Sequence, residues 1–288
     1  MHLLFPLASS ILYVLAALFL KQASSRGVDL WRTAFVCNAT TAILFLFLLP
    51  LGGEPIVIHL LWQPLVIALL FVTAQTLTFL ALKVGDVSVA TPVMGSKVVL
   101  VAFFTTLLGA DSVSSLLWLA AILSTVGIAF LNQKGKTHHH VALTVWLALA
   151  AAGAYALFDV LVMSWTPQWG AGHLLPIVMV MGAALSVAFL PFAPKPDPTS
   201  PSGKWRPLFF GAFFIALQAL ILVSCLGIFG DATAVNVIYS TRGLWSVLAV
   251  WWIGHFFANT ERNHGSTVLR ARLVGAICLC AAVVLVFL

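Results

Sequence analysis

Charge is the scarcest property of this sequence. Asp, Glu, Lys and Arg make up 8% of its 288 residues, against about 25% in soluble domains. Only eight of them are acidic, while 62% of the chain is hydrophobic. A chain with so little charge cannot cover itself in water, which excludes a soluble globular protein and points to a bilayer. Cysteine is also sparse. Cys37, Cys225, Cys278 and Cys280 all fall inside apolar runs, with neither disulfide nor zinc spacing, and read as small hydrophobes. The apolar runs contain no zinc-ligand spacing, no serine–histidine pair and no Asp-rich metal motif. No catalytic residue, metal site or cofactor is therefore expected, and an intramembrane enzyme is the weaker alternative. The formal charge of +6 would suggest nucleic acid only if its location were ignored. The basic residues sit in short connections, so topology accounts for them and nucleic acid is not an expected partner.

Ten apolar runs have roughly the 17–25 residues that a spanning helix needs. They cover about 3–21, 32–50, 60–82, 87–109, 114–131, 141–164, 173–192, 207–229, 232–254 and 268–288. Gly, Pro and charged clusters separate them, among them Gly52-Gly53-Glu54-Pro55, Thr166-Pro167 to Gly172 and the Pro-rich stretch 191–207. Only His2 precedes the first run, and Lys21 and Arg26 follow it. That order is the reverse of a secretory signal, so the segment is expected to stay as a helix. Two of the 14 Lys and Arg lie within runs; the other twelve fall in or beside the connections after runs one, three, five, seven and nine. The positive-inside rule then places those connections in the cytoplasm and both termini outside it. Short loops and no appended domain fit a bacterial inner membrane. His138, His139 and His140 read as a solvated part of one basic loop. Trp31, Trp62, Trp118, Trp146, Trp169 and Trp205 read as interface anchors.

The two basic residues inside runs are Lys97 and Arg242, and they belong to a repeat. Gly85-Asp86 opens a run in which Lys97 stands eleven positions after the Asp; Gly230-Asp231 opens another in which Arg242 stands eleven positions after its Asp. Gly109 and Gly254 close the two copies at the same offset of 145 residues. Ala120 to Gly127 resembles Gly275 to Ala282 in its small residues, and Tyr13 and Tyr155 give a weak match between runs one and six. Half the chain holds five runs, and an odd number of spans inverts the second copy. The expected fold is therefore all-α integral membrane, with ten transmembrane helices as two inverted five-helix repeats, 1–136 and 137–288, in one membrane domain.

The five-plus-five repeat, the run Ala90-Thr91-Pro92-Val93 leading to Leu108-Gly109, and the small-residue-rich helix ending in Thr125-Val126-Gly127 resemble the drug/metabolite transporter superfamily in its ten-helix EamA-type form. Two departures stand out. That family usually has Gly-Glu after the fourth helix, where this chain has Gly109-Ala110-Asp111, and Gly254-His255 follows the ninth helix with the acid delayed to Glu261. The resemblance implies alternating access by two halves around a cavity lined by helices three, four, eight and nine. Sugar-phosphate and nucleotide-sugar translocators of the superfamily hold anionic groups with basic residues in helices four and nine, where Lys97 and Arg242 fall.

Depth leads to a similar place without the resemblance. A cation ~15 Å from either surface at 1.5 Å per residue cannot easily snorkel, and each costs about 2.5–3.5 kcal/mol on insertion scales. Lys97 and Arg242 must face the protein interior or a wet cavity, as the clamp for an anionic group or as cations that glue the halves through backbone carbonyls. Asp86 and Asp231 lie on the same helical faces as these cations but roughly 16 Å away; a helix N-cap is the favoured reading for both. Asp159 admits two readings, a counter-ion or proton-coupling group in the sixth run, or an acid near a helix end reaching interfacial water. Gln75, Gln218, Asn236, Tyr239, Ser96 and Thr241 complete the candidate substrate site, with Asn38, Thr91 and Ser240 as further polar lining. Trp245 reads as an aromatic wall, and Pro92 as a kink with no proline counterpart in the ninth run. The expected function is a secondary transporter moving a small anionic or zwitterionic metabolite, proton coupling being one option and monomer or homodimer left open. The alternative within transport is a flippase for a lipid phosphate.

Overall fold

The computed structural model describes residues 2–84, 90, 93–131, 141–194, 205–253 and 266–288, and its regular elements are all helices. In chain order they are α1 Leu4–Ser25, α2 Leu30–Phe45, α3 Trp62–Val84, α4 Lys97–Leu107, α5 Ser115–Leu131, α6 Val141–Trp169, α7 Ala171–Ser186, α8 Trp205–Phe229, α9 Ala232–Tyr239, α10 Arg242–Ile253 and α11 Ser266–Val286. Among the described residues, six segments are long and apolar enough to cross a membrane: Leu4–Ser25, Leu30–Leu51, Ile58–Ala81, Val141–Trp169, Ala171–Phe192 and Trp205–Phe229. Shorter apolar helices occupy the fourth, fifth and tenth runs. This is an integral membrane protein.

The helix starts follow from capping chemistry. Asp29 begins α2 by accepting from the backbone N–H groups of Trp31 at 2.9 Å and Arg32 at 3.2 Å. Asp231 begins α9 by accepting from the N–H of Ala234 at 3.0 Å, the geometry of an N-cap. Asp86 lies outside the described residues. The ends of α2 and α7 share a device. Each continues as a six-residue 3-10 turn, Leu46–Leu51 and Val187–Phe192, with a proline fifth in the turn, Pro50 and Pro191.

Packing partners exchange in pairs when helices are shifted by five runs. Helix α1 packs on α8 and α6 on α3; α2 packs on α8 and α7 on α3; α4 packs on α6, and both α9 and α10 pack on α1. Three further pairs map onto themselves, α2 with α7, α4 with α9, and α5 with α11. The largest core cluster holds Phe45, Ile67, Leu174, Val178 and Leu226, where α2, α3, α7 and α8 meet α6. Without water to drive association, close backbone approach has to carry such contacts. Between α5 and α11, a Cβ added to Gly127 would sit 2.9 Å from the carbonyl oxygen of Gly275. The small residues Ala120, Ala121 and Ser124 of α5, with Leu279 and Ala282 of α11, are fully buried.

Two connections fit together at one end of the bundle. The Gly52-Gly53 turn nests against Gly170 to Gly172, where a Cβ on Gly172 would meet the Gly52 carbonyl oxygen at 2.5 Å. The Glu54 N–H donates to the Trp169 carbonyl at 3.2 Å, and His173 Nδ1 lies 2.8 Å from the Glu54 carbonyl oxygen. The Trp169 indole N–H donates to Gln63 Oε1 at 2.6 Å. A cavity of about 200 Å³ beside this contact is lined by Glu54, Pro55, Val57, Leu60, Gln168 and Trp169.

Three readings of the sequence need correction. The sixth run was expected to end at 164, before Thr166-Pro167; α6 instead continues to Trp169 with Pro167 inside it. Proline removes only one donor from the ladder, and helices in this setting accommodate that loss. Trp169 was expected at the interface, yet it is 3% exposed, because Gln63 satisfies its N–H. Third, the ninth run was expected as one helix and is two, α9 and α10. The histidines 138–140, with Thr91 and Pro92, lie outside the described residues.

Candidate functional site

The break in the ninth run falls next to the cation. Ser240 donates its hydroxyl to the Val237 carbonyl at 2.6 Å, and Thr241 to the Ile238 carbonyl at 2.7 Å. Side chains that bond their own turn compete with the backbone ladder, and the helix restarts at Arg242. The fourth run repeats the arrangement. Ser96 donates to the Val93 carbonyl at 2.7 Å, and α4 starts at Lys97. Ser96 and Thr241 are separated by the same 145 positions as the rest of the repeat. Each cation is therefore the first residue of a helix, at the positive end of its dipole, where a negative charge is the favourable neighbour.

Lys97 has that neighbour. Its Nζ lies 2.7 Å from Asp159 Oδ2, with the two side chains 15% and 3% exposed. Asn236 of α9 donates to the same Oδ2 at 2.7 Å and to the Ala232 carbonyl at 2.9 Å. One carboxylate of α6 thus joins α4 and α9. The Tyr155 ring stands 5.7 Å from the ammonium. Asp159 is buried and paired, unlike a helix-end acid in interfacial water.

Arg242 has aromatic neighbours instead. Its guanidinium lies 4.7 Å from the centroid of Tyr13 and 4.6 Å from that of Tyr239, and the two rings meet edge-on, 6.1 Å apart. No carboxylate pairs with it among the described residues; the ion pair between Lys97 and Asp159 stands alone among them. The chain has three tyrosines, and all three lie beside the two cations. Tyr13 and Tyr155 enter the sequence reading only as a match between the repeats. Their scarcity elsewhere was the available signal for more.

The remaining candidates are placed as follows. Gln75 and Asn38 exchange hydrogen bonds at 2.9 and 3.3 Å, tying α3 to α2. Gln218 donates to Ser9 Oγ at 3.2 Å, and Ser9 returns a bond to the Gln218 carbonyl at 3.1 Å, tying α8 to α1. The Thr241 hydroxyl also lies 3.2 Å from Ser10 Oγ. Tyr239 therefore meets Arg242 directly and Asn236 reaches Lys97 through Asp159, Ser96 and Thr241 shape the helix breaks beside the cations, and the two glutamines fasten neighbouring helices. Trp245 carries a buried indole N–H with no acceptor. No group of three or more metal-ligating side chains occurs among the described residues.

The family model of the EamA-like transporters matches residues 1–133. Over those residues the chain is similar to that family. The match covers a little under half of the chain, including Lys97 and the break before it. A solved structure described as "Crystal structure of protein" aligns over 99% of this chain and 97% of that chain, with a TM-score of 0.73 at 16% identity. Identity that low speaks for a shared fold alone, extending the likeness beyond the EamA-like half. No curated protein matches the chain.

Proposed function

We propose that this protein is a secondary transporter for a small metabolite carrying an anionic group, with Arg242 as the principal ligand of that group. The observation that carries the reading is the unequal state of the two cations. Asp159 neutralises Lys97, whereas Arg242 is left with a net positive charge between two tyrosines. A carboxylate or phosphate seated there, held in bidentate fashion, would relieve both the unpaired charge and the helix dipole. Tyr239 takes one side-chain hydrogen bond from the guanidinium, and the fork of five N–H donors has others to offer an anion. A zwitterion fits as well, its ammonium facing Asp159.

The exchanging helix pairs favour ten spans in two inverted five-helix repeats, with the site where α4 meets α9. Movement of the two halves about that contact would give alternating access. In this reading both termini lie outside the cytoplasm, and the ion pair between Lys97 and Asp159 is the group through which proton coupling would act.

Thermal stabilisation of the purified protein by a panel of phosphates, carboxylates, amino acids and organic cations tests this directly. A ligand at 100 times its dissociation constant adds about 2.7 kcal/mol. An anion should stabilise the wild type and lose its effect in Arg242→Gln, and the same compound should move across proteoliposomes unchanged. Stabilisation by organic cations alone, equal in both proteins, would refute the reading. A lipid phosphate as cargo would show instead as flipping that soluble anions do not inhibit.

A further inference from the structure

The charge that Arg242 keeps without a carboxylate among the described residues has a companion. Five buried side-chain atoms among the described residues lack a hydrogen-bond partner: the hydroxyls of Thr105, Ser124, Ser224 and Thr233, and Nε1 of Trp245. The hydroxyls of Thr105, Ser124 and Ser224 sit within helices and can rotate onto a carbonyl of the preceding turn, and that of Thr233, in the first turn of α9, is free to rotate as well. An indole N–H has no such escape, because it is a donor only and its direction is fixed by the ring. A buried donor without an acceptor is costly, so Trp245 needs something the described residues do not supply.

Its position says what. Trp245 lies three residues after Arg242 on α10, and residues at that spacing are neighbours on one face. Helical side chains lean toward the N-terminus, so the Trp245 ring covers the turn that carries Arg242. That turn is regular, with the Trp245 N–H donating to the Thr241 carbonyl at 3.0 Å. A partly buried cation without a carboxylate and a buried N–H without an acceptor thus share the first turn of one helix. We infer that Trp245 donates its indole N–H to the same anionic group that Arg242 binds, and so helps to select an oxyanion with at least two acceptor oxygens. The inference rests on the reading of Arg242 as the anion ligand.

The contribution of Trp245 can be separated from that of charge. Trp245→Phe keeps an aromatic ring and the net charge but removes the N–H. Dissociation constants for inorganic phosphate, succinate and glutamate would be taken from thermal shifts on wild type, Trp245→Phe and Arg242→Gln, with ligand-free melting as the control. Loss of one hydrogen bond to a charged group should weaken the anion that binds wild type by about tenfold or more. Trp245→His retains a ring N–H, should recover part of that loss, and stands in should Trp245→Phe not fold. Equal affinity in wild type and Trp245→Phe, with Arg242→Gln inactive, overturns the role of Trp245 and leaves the anion site standing. An anion held equally by wild type and Arg242→Gln, or none held by wild type, removes both.

Discussion

Lys97 and Arg242 occupy matching places in the two halves and are treated in opposite ways. Both follow a hydroxyl that bonds back three residues, and both begin a helix. Around Lys97 the protein supplies a carboxylate and an amide. Around Arg242 it supplies two tyrosine rings. A repeat doubles a backbone device but not the side chains that surround it, and the asymmetry is where a substrate could be told from a solvent ion. An ion pair is already complete, so it holds helices together. A cation faced by ring quadrupoles is restrained yet still able to accept a negative partner.

The largest test of this contrast is stability. Lys97→Met should destabilise the protein by about 3–5 kcal/mol, because Asp159 would be left charged and buried, while the pair Lys97→Met with Asp159→Leu should return to within about 1 kcal/mol of wild type. Denaturant titration in detergent would measure both. A single change at Lys97 that costs no more than the double change would break the comparison. Asn236→Leu should cost about 1.5–3 kcal/mol by the same measurement, since it removes a hydrogen bond to a charged oxygen. Arg242→Met should shift stability by no more than about 1 kcal/mol. The lost attraction to two rings, about 0.5–2 kcal/mol, is offset by relief of an unpaired cation. A loss near that of Lys97→Met would mean that Arg242 has a structural partner after all.

The smallest effect concerns the cap at Asp231. Burial holds the Asp231 carboxyl above the usual carboxylate range, with Asp111 adding to the shift and the Ala234 N–H opposing it. A carboxyl whose folded value is raised favours the fold while protonated, and that contribution is lost as pH rises through the folded value. Asp231→Asn keeps an acceptor for the cap without the charge. Its melting temperature should therefore exceed that of wild type at neutral pH, and the gap should close on acidification. A gap that widens toward low pH would reverse the sign and refute the assignment.

The sequence was most informative where chemistry is averaged over many residues. Most apolar runs mark a helix to within a few positions, since twenty residues of hydropathy outweigh any single exception, but α4 fills only the later part of the fourth run. The ends were less legible. Pro167 and Pro50 look like stops, but α6 runs on through the first and α2 tightens into a 3-10 turn around the second. The break before Arg242 escaped because hydropathy does not register Ser240 and Thr241 turning their hydroxyls onto the chain. Lys97 and Arg242 stood out in the sequence through the cost of an intramembrane charge. Their partners did not, because Asp159 is 62 positions from Lys97 and Tyr13 is 229 from Arg242. Only packing decides which of several polar residues reaches which cation.

The nested turns at Gly52-Gly53 and Gly170 to Gly172 differ from the side-chain contacts described above. They meet through main chain, with the glycines giving up side chains so that carbonyls and N–H groups can touch. When such a contact parts, water can replace each hydrogen bond that breaks. Fit holds these turns together where area holds the helices. The joint behaves as a latch rather than a weld, one that a single added methyl at Gly172 would wedge ajar.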